Sequence, residues 1–163
     1  MTPQLTNPCR SRLLVGLLLV ASSTLALPQT KQQKVHHMGH NVMPFELAKT
    51  THVFRMTESG GVQRVILRDA KAKDQVPLIQ GHLKREAEAF QRGDYKDPAA
   101  LHGADMPGLK ELQAGAAKIM VSYSALPTGA EITFKTADIR LLTAIHRWFG
   151  AQLSEHGADA RAE

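Results

Sequence analysis

The chain has 163 residues, a formal net charge of +5, eight histidines, six methionines and one cysteine. A single cysteine excludes an internal disulfide framework. The basic residues are scattered rather than gathered on one helix face or interleaved with aromatics, which argues against nucleic acid as a partner.

MTPQLTNPCRSR carries Arg10 and Arg12 and no acid; LLVGLLLV follows from Leu13 to Val20, and ASSTLA puts Thr24 and Ala26 at the small-residue positions of a cleavage site. This layout predicts a secretory signal peptide over 1–26, hence a periplasmic or secreted protein. The apolar run is shorter than the roughly 20 residues a membrane span needs. Cys9 precedes it, so a lipid anchor is not expected, and the mature chain would have no membrane contact and no thiol. Losing Arg10 and Arg12 takes the formal charge from +5 to +3.

Residues 27–43, LPQTKQQK running into VHHMGHNVM, are polar and read as a flexible His/Met-containing leader. A single domain is expected over 44–157, with 158–163 as a frayed tail. THVFRMT, ESGG and VQRVILRD predict a hairpin turning at Gly60 and Gly61, with His52, Phe54 and Met56 on one face. Asp74 is placed to cap a helix reaching about Arg92, whose stripe is Leu78, Ile79, His82, Leu83, Ala87 and Phe90. DYKDPAALHGADMPG reads as a loop and GLKELQAG as a short helix. AKIMVSYSA, LPTG and AEITFKT predict a second hairpin. Asp138 then caps a last helix ending at Gly157, with Leu142, Ile145, Phe149 and Leu153 on its stripe and Trp148 at the edge.

The two halves, about 50–93 and 117–157, match in order and in spacing: Asp74 precedes His82 by eight residues, as Asp138 precedes His146. The expectation is an α+β fold of duplicated ββα units, forming a four-stranded antiparallel sheet with two main helices packed on one face.

Imidazole and thioether without thiol favour copper, whereas imidazole with carboxylate favours zinc. The candidate metal ligands are therefore His36, His37, Met38 and His40 in the leader, and His52, His82 and His146 in the domain. A pseudo-twofold axis would bring His82 and His146 together. In LHGADMPGL, His102 is a candidate acid or base with Asp105 as its orienter or as a helix cap; His146 is the other catalytic candidate. His156, at a helix end, is expected to meet the helix dipole. No nucleophile elbow, phosphate loop, HExxH or EF-hand pattern is present.

MPFELAKTTHVF, GGVQRV, HLKREAEAF, GDYKDPAALHGADMPGL and HRWFGAQLSEHGADA resemble a small exported bacterial family of unknown role, over nearly all the mature chain. Members of it are sometimes labelled aspartate carbamoyltransferase. These residues do not support that label: no Ser-Thr-Arg-Thr stretch is present to cradle carbamoyl phosphate, and the chain is too short for two closing domains. The resemblance implies export and no particular activity.

The leading expectation is an exported metal-binding protein, with copper first and zinc second, that sequesters or delivers the ion. The alternatives are a small-molecule enzyme using His82, His102 and His146 in a pocket between the halves, and a non-catalytic partner-binding module or homodimer.

Overall fold

The computed structural model describes residues 29–163; the signal-peptide expectation lies outside them. Two hairpins form where the period-two patterns place them. The first joins β1 (Thr50–Thr57) to β2 (Gly60–Leu67), and the second joins β3 (Met120–Leu126) to β4 (Gly129–Lys135). Each is followed by a long helix, α2 (Gln75–Gln91) and α5 (Ile139–His156). The Asp138 carboxylate accepts from the Arg140 N–H at 2.9 Å and starts α5 as expected. Asp74 precedes α2 but makes no cap bond; its carboxylate accepts instead from the Gln75 side chain.

The fold is α+β, with a five-stranded sheet in place of the expected four. The order is β3-β4-β2-β1-β5. The fifth strand, β5 (Ala160–Ala162), comes from residues expected to fray, and it runs parallel to β1 with His52 opposite Ala160. Gly157, at φ 54°, turns the chain out of α5 toward the open edge of β1. There Glu163 meets Arg64 and Arg55. One short segment thus makes a mixed sheet of an otherwise antiparallel one.

Residues 31–39 are ordered as well. They form α1 (Lys31–Gly39), not a flexible leader. The Gln33 N–H donates to the Thr30 hydroxyl, and the Thr30 N–H donates back to the Gln33 carboxamide, closing a capping box. Val35 and Met43 are buried and seat the helix on the domain. Two short helices lie between the halves: α3 (Lys96–His102), where a loop was expected, and α4 (Leu109–Gly115). Asp105 does not cap α4; it is exposed and pairs with Lys110.

β2 and β4 meet at the sheet centre, with Gln63 opposite Ile132. Gly60 and Gly129 hold equivalent places about that point, at φ 152° and 157°. A Cβ on either would lie 1.9 Å from a carbonyl oxygen of the facing strand. At the base of the core, Trp148 packs 5.6–5.7 Å from the rings of Phe90, Tyr95, Phe134 and Phe149. Trp148 is fully buried rather than at the edge of its helix stripe, because α5 is covered on both flanks; Leu142 and Leu153 are only half-buried.

Gly129→Ala is expected to cost about 2 kcal/mol or more, since both the conformation and the strand approach exclude a side chain. Urea unfolding measures this loss directly; an unchanged midpoint would show that the two hairpins are not so closely joined.

Candidate functional site

Beside the aromatic cluster, the space between sheet and helices becomes polar. From the sheet, His52 and Gln63 face it, because each lies on the helix-covered side at a position fixed by strand register. From α2 come His82 and Glu86, one turn apart on the same face. Asp97 and His102 stand at the two ends of α3, and α5 supplies Gln152 and His156. Val42 and Met43, just after α1, close the top. These groups surround a cavity of about 40 Å³.

The imidazoles form a row. His156 stacks on His52 with ring centres 4.4 Å apart and meets His102 at 5.0 Å. Phe45 lies between His52 and His82, at 6.1 and 5.6 Å. Burial holds all four in the neutral form. It lowers His82 to about 4 and His156 to about 3, and lowers His52 well below its ordinary value, with its histidine neighbours adding to the effect. Burial also lowers His102, against the pull of a hydrogen bond to Glu155.

That bond is 2.9 Å long and runs from His102 Nδ1 to the Glu155 carboxylate. A carboxylate accepts only, so Nδ1 carries the proton and Nε2 holds the lone pair. Burial alone would raise Glu155, but hydrogen bonds from Lys31 and His102 outweigh it and hold it below the usual range. Lys31, on α1, donates to the other oxygen of Glu155 at 2.8 Å, so the N-terminal helix supports His102 through that carboxylate.

A second group lies between α2 and α3. One nitrogen of His82 and one oxygen each of Glu86 and Asp97 lie within 4.8 Å of one another. His82 is buried, Glu86 half-buried and Asp97 exposed, so the group runs from the chamber to its mouth. Burial first and the adjacent Asp97 second push the Glu86 carboxyl up to about 8. Two carboxylates this close need either a proton or a cation between them.

The chamber also holds polar atoms with no hydrogen-bond partner: Nδ1 of His52 and His156, Oε1 of Gln63, Nε1 of Trp148 and Nε2 of Gln152. Buried groups of this kind are seldom left so in folded proteins.

Of the residues expected from sequence, the structure brings His52, His82 and His102 into this chamber. His146 is elsewhere: its Nε2 donates to the carbonyls of Thr57 and Gly60 at 3.0 and 2.8 Å, so it ties α5 to the first hairpin and does not meet His82. His36 is bonded to Asp159 at 3.1 Å. His37 and His40 are exposed, with ring centres 6.1 Å apart, and Met38 packs against the core. His102 is oriented by Glu155 and not by Asp105. Sequence reasoning missed Glu86, Asp97, Gln152 and Glu155, and gave His156 to the helix dipole where it is buried in the chamber; only the four-residue spacing of His82 and Glu86 on one helix offered a signal. Comparison with family models, curated proteins and solved structures gave no match.

These protonation states predict acid sensitivity. The unfolded chain takes up protons at His52, His82 and His156 below about pH 6.5, and the native chain does not, so stability falls as pH falls through that value. Glu86 acts oppositely: the native state keeps its proton to about pH 8, so its contribution is lost as pH rises toward that value. Near pH 5.5 the imidazole protons taken up on unfolding outnumber the one carboxyl proton released, so stability falls on acidification. Urea unfolding at pH 5 and pH 7 measures the slope, and His156→Gln should flatten it by about one proton.

Proposed function

We propose that this protein binds a divalent metal ion of the zinc class through His82, Glu86 and Asp97, and that it sequesters or delivers that ion outside the cytoplasm. The observation that carries the reading is the convergence of one imidazole nitrogen and two carboxylate oxygens within 4.8 Å, with the imidazole buried. Neutral imidazole is the form that coordinates a metal, and His82 is held neutral. A cation between Glu86 and Asp97 would replace the proton that otherwise separates them.

The donor set shifts the preferred ion. Copper is the expectation from histidine with methionine, but imidazole with two carboxylates suits zinc better. Met43 lines the same chamber and remains within reach of a softer ion. The cavity's size argues against the small-molecule enzyme. About 40 Å³ holds an ion and a water or two, whereas pockets for organic ligands measure about 300–1,000 Å³.

Export rests on the N-terminal sequence pattern. We also read the two hairpin-helix halves as duplicated, a reading supported by the matching Gly60 and Gly129 about the β2–β4 centre. The duplication did not preserve the histidines' roles: His82 faces the chamber and His146 is a structural tie.

Titration calorimetry with zinc at pH 7.5 is expected to show an equivalent binding tighter than micromolar that depends on this group. Glu86→Gln and Asp97→Asn should each weaken it by about 100-fold, roughly 2.7 kcal/mol. Affinity should rise about tenfold per pH unit from pH 6 to 8, because the ion expels the Glu86 proton. Zinc binding indifferent to both substitutions would overturn the assignment.

A further inference from the structure

The chamber contains a second set of donors that the carboxylate site does not use. His52, His102 and His156 come from β1, α3 and α5, and their rings touch in sequence at 4.4 and 5.0 Å. His52 is 4% exposed and His156 2%, and the side chain of His102 is 1% exposed. Nδ1 of His52 and Nδ1 of His156 have no hydrogen-bond partner. Such a nitrogen is costly to bury without a partner, and three elements converge to bury them together.

We propose that His52, His102 and His156 form a second metal site, an all-imidazole one suited to copper or zinc. Three features support it. The spacing of His102 and His156, 5.0 Å, is that of shared ligands: with metal–nitrogen bonds of about 2.0–2.1 Å, two imidazoles on one tetrahedral ion have ring centres about 5 Å apart, whereas the nitrogens of the three rings as placed do not converge as closely as the donor atoms of His82, Glu86 and Asp97. The orientation of His102 is that of a ligand, since its Nδ1–H donates to Glu155 and leaves Nε2 to coordinate; metal-bound histidines are nearly always held this way by a carboxylate or carbonyl. The orphaned nitrogens of His52 and His156 gain the partner they lack.

The rings of His52 and His156 are stacked at 27°, and lone pairs lying in near-parallel rings do not meet at one point. Binding therefore requires one of the two to turn about χ2, a soft torsion in histidine. The site closes on its ion by rotation of a ring within the chamber, not by backbone movement. Glu155 acts as a positioning residue, and Lys31 extends the support to α1.

The two sites are separable by stoichiometry. The full mature chain, a Glu86→Gln/Asp97→Asn double variant and the same variant with His156→Gln would be titrated with cobalt(II), a spectroscopic stand-in for zinc. Bound cobalt is counted by mass spectrometry, and visible absorption reports its coordination. Low-coordinate cobalt with nitrogen ligands absorbs far more strongly than six-coordinate, oxygen-rich cobalt. The expected result is one strongly absorbing equivalent retained by the double variant and lost on adding His156→Gln. Glu155→Gln in the double variant, which leaves all three imidazoles in place, should lower the affinity by about 10–100-fold. No cobalt in the double variant, or cobalt that survives His156→Gln, would overturn the inner site. Cobalt bound by the wild type and lost in the double variant would leave the His82 site standing alone. One equivalent unaffected by the double substitution and lost with His156→Gln would overturn the carboxylate site and leave the inner one.

Discussion

Five side-chain atoms buried in one chamber lack hydrogen-bond partners, and the rest of the structure is arranged around that cost. Left unpaired, each of the orphaned atoms of His52, Gln63, Trp148, Gln152 and His156 would cost about 1–3 kcal/mol. Apolar side chains of similar size would fill the same space without that penalty. Water held in the cavity would supply partners for the indole and amide donors, and the bare imidazole nitrogens are left as the groups able to accept.

The walls come from β1, β2, β4, α2, α3 and α5, and few of them are local in sequence. β1 and β2 set His52 and Gln63 on the helix-facing side of the sheet, and α2 carries His82 and Glu86 over it. The end of α5 brings His156 down beside His52. The same helix end holds Glu155, whose carboxylate joins His102 of α3 to Lys31 of α1. Asp159, just beyond, binds His36 and Arg68. The N-terminal helix and the C-terminal strand therefore secure the same corner, and the chamber lies beneath them. This explains why both ends of the domain are ordered although both are polar in sequence.

The long elements were legible because their patterns are local. Alternation marks both hairpins, and the stripe around Ile79 and Leu83 marks α2. Three things were not legible, each for a physical reason. α1 has only Val35 as a fully buried apolar side chain, with Met38 partly buried, among polar residues, so no hydrophobic stripe announces it; its capping box at Thr30 was the available sign. β5 is three residues long, and its pairing is decided by the free edge of β1, which a linear reading does not see. The chamber is assembled from residues as far apart as His52 and His156. His82 and His146 share a spacing and differ in outcome, because the carbonyls of Thr57 and Gly60 lie beside one, whereas the chamber lies beside the other. The histidine-rich segment drew attention by density alone, yet its rings remain on the outside, and the buried imidazoles are spread singly along the chain.

The most direct test is anomalous diffraction from zinc-loaded crystals, recorded at the zinc edge. A peak is expected within bonding distance of His82, Glu86 and Asp97, inside the mouth of the chamber between α2 and α3. Peaks confined to His37 and His40 on the surface, with the chamber empty of metal at saturating zinc, would contradict it.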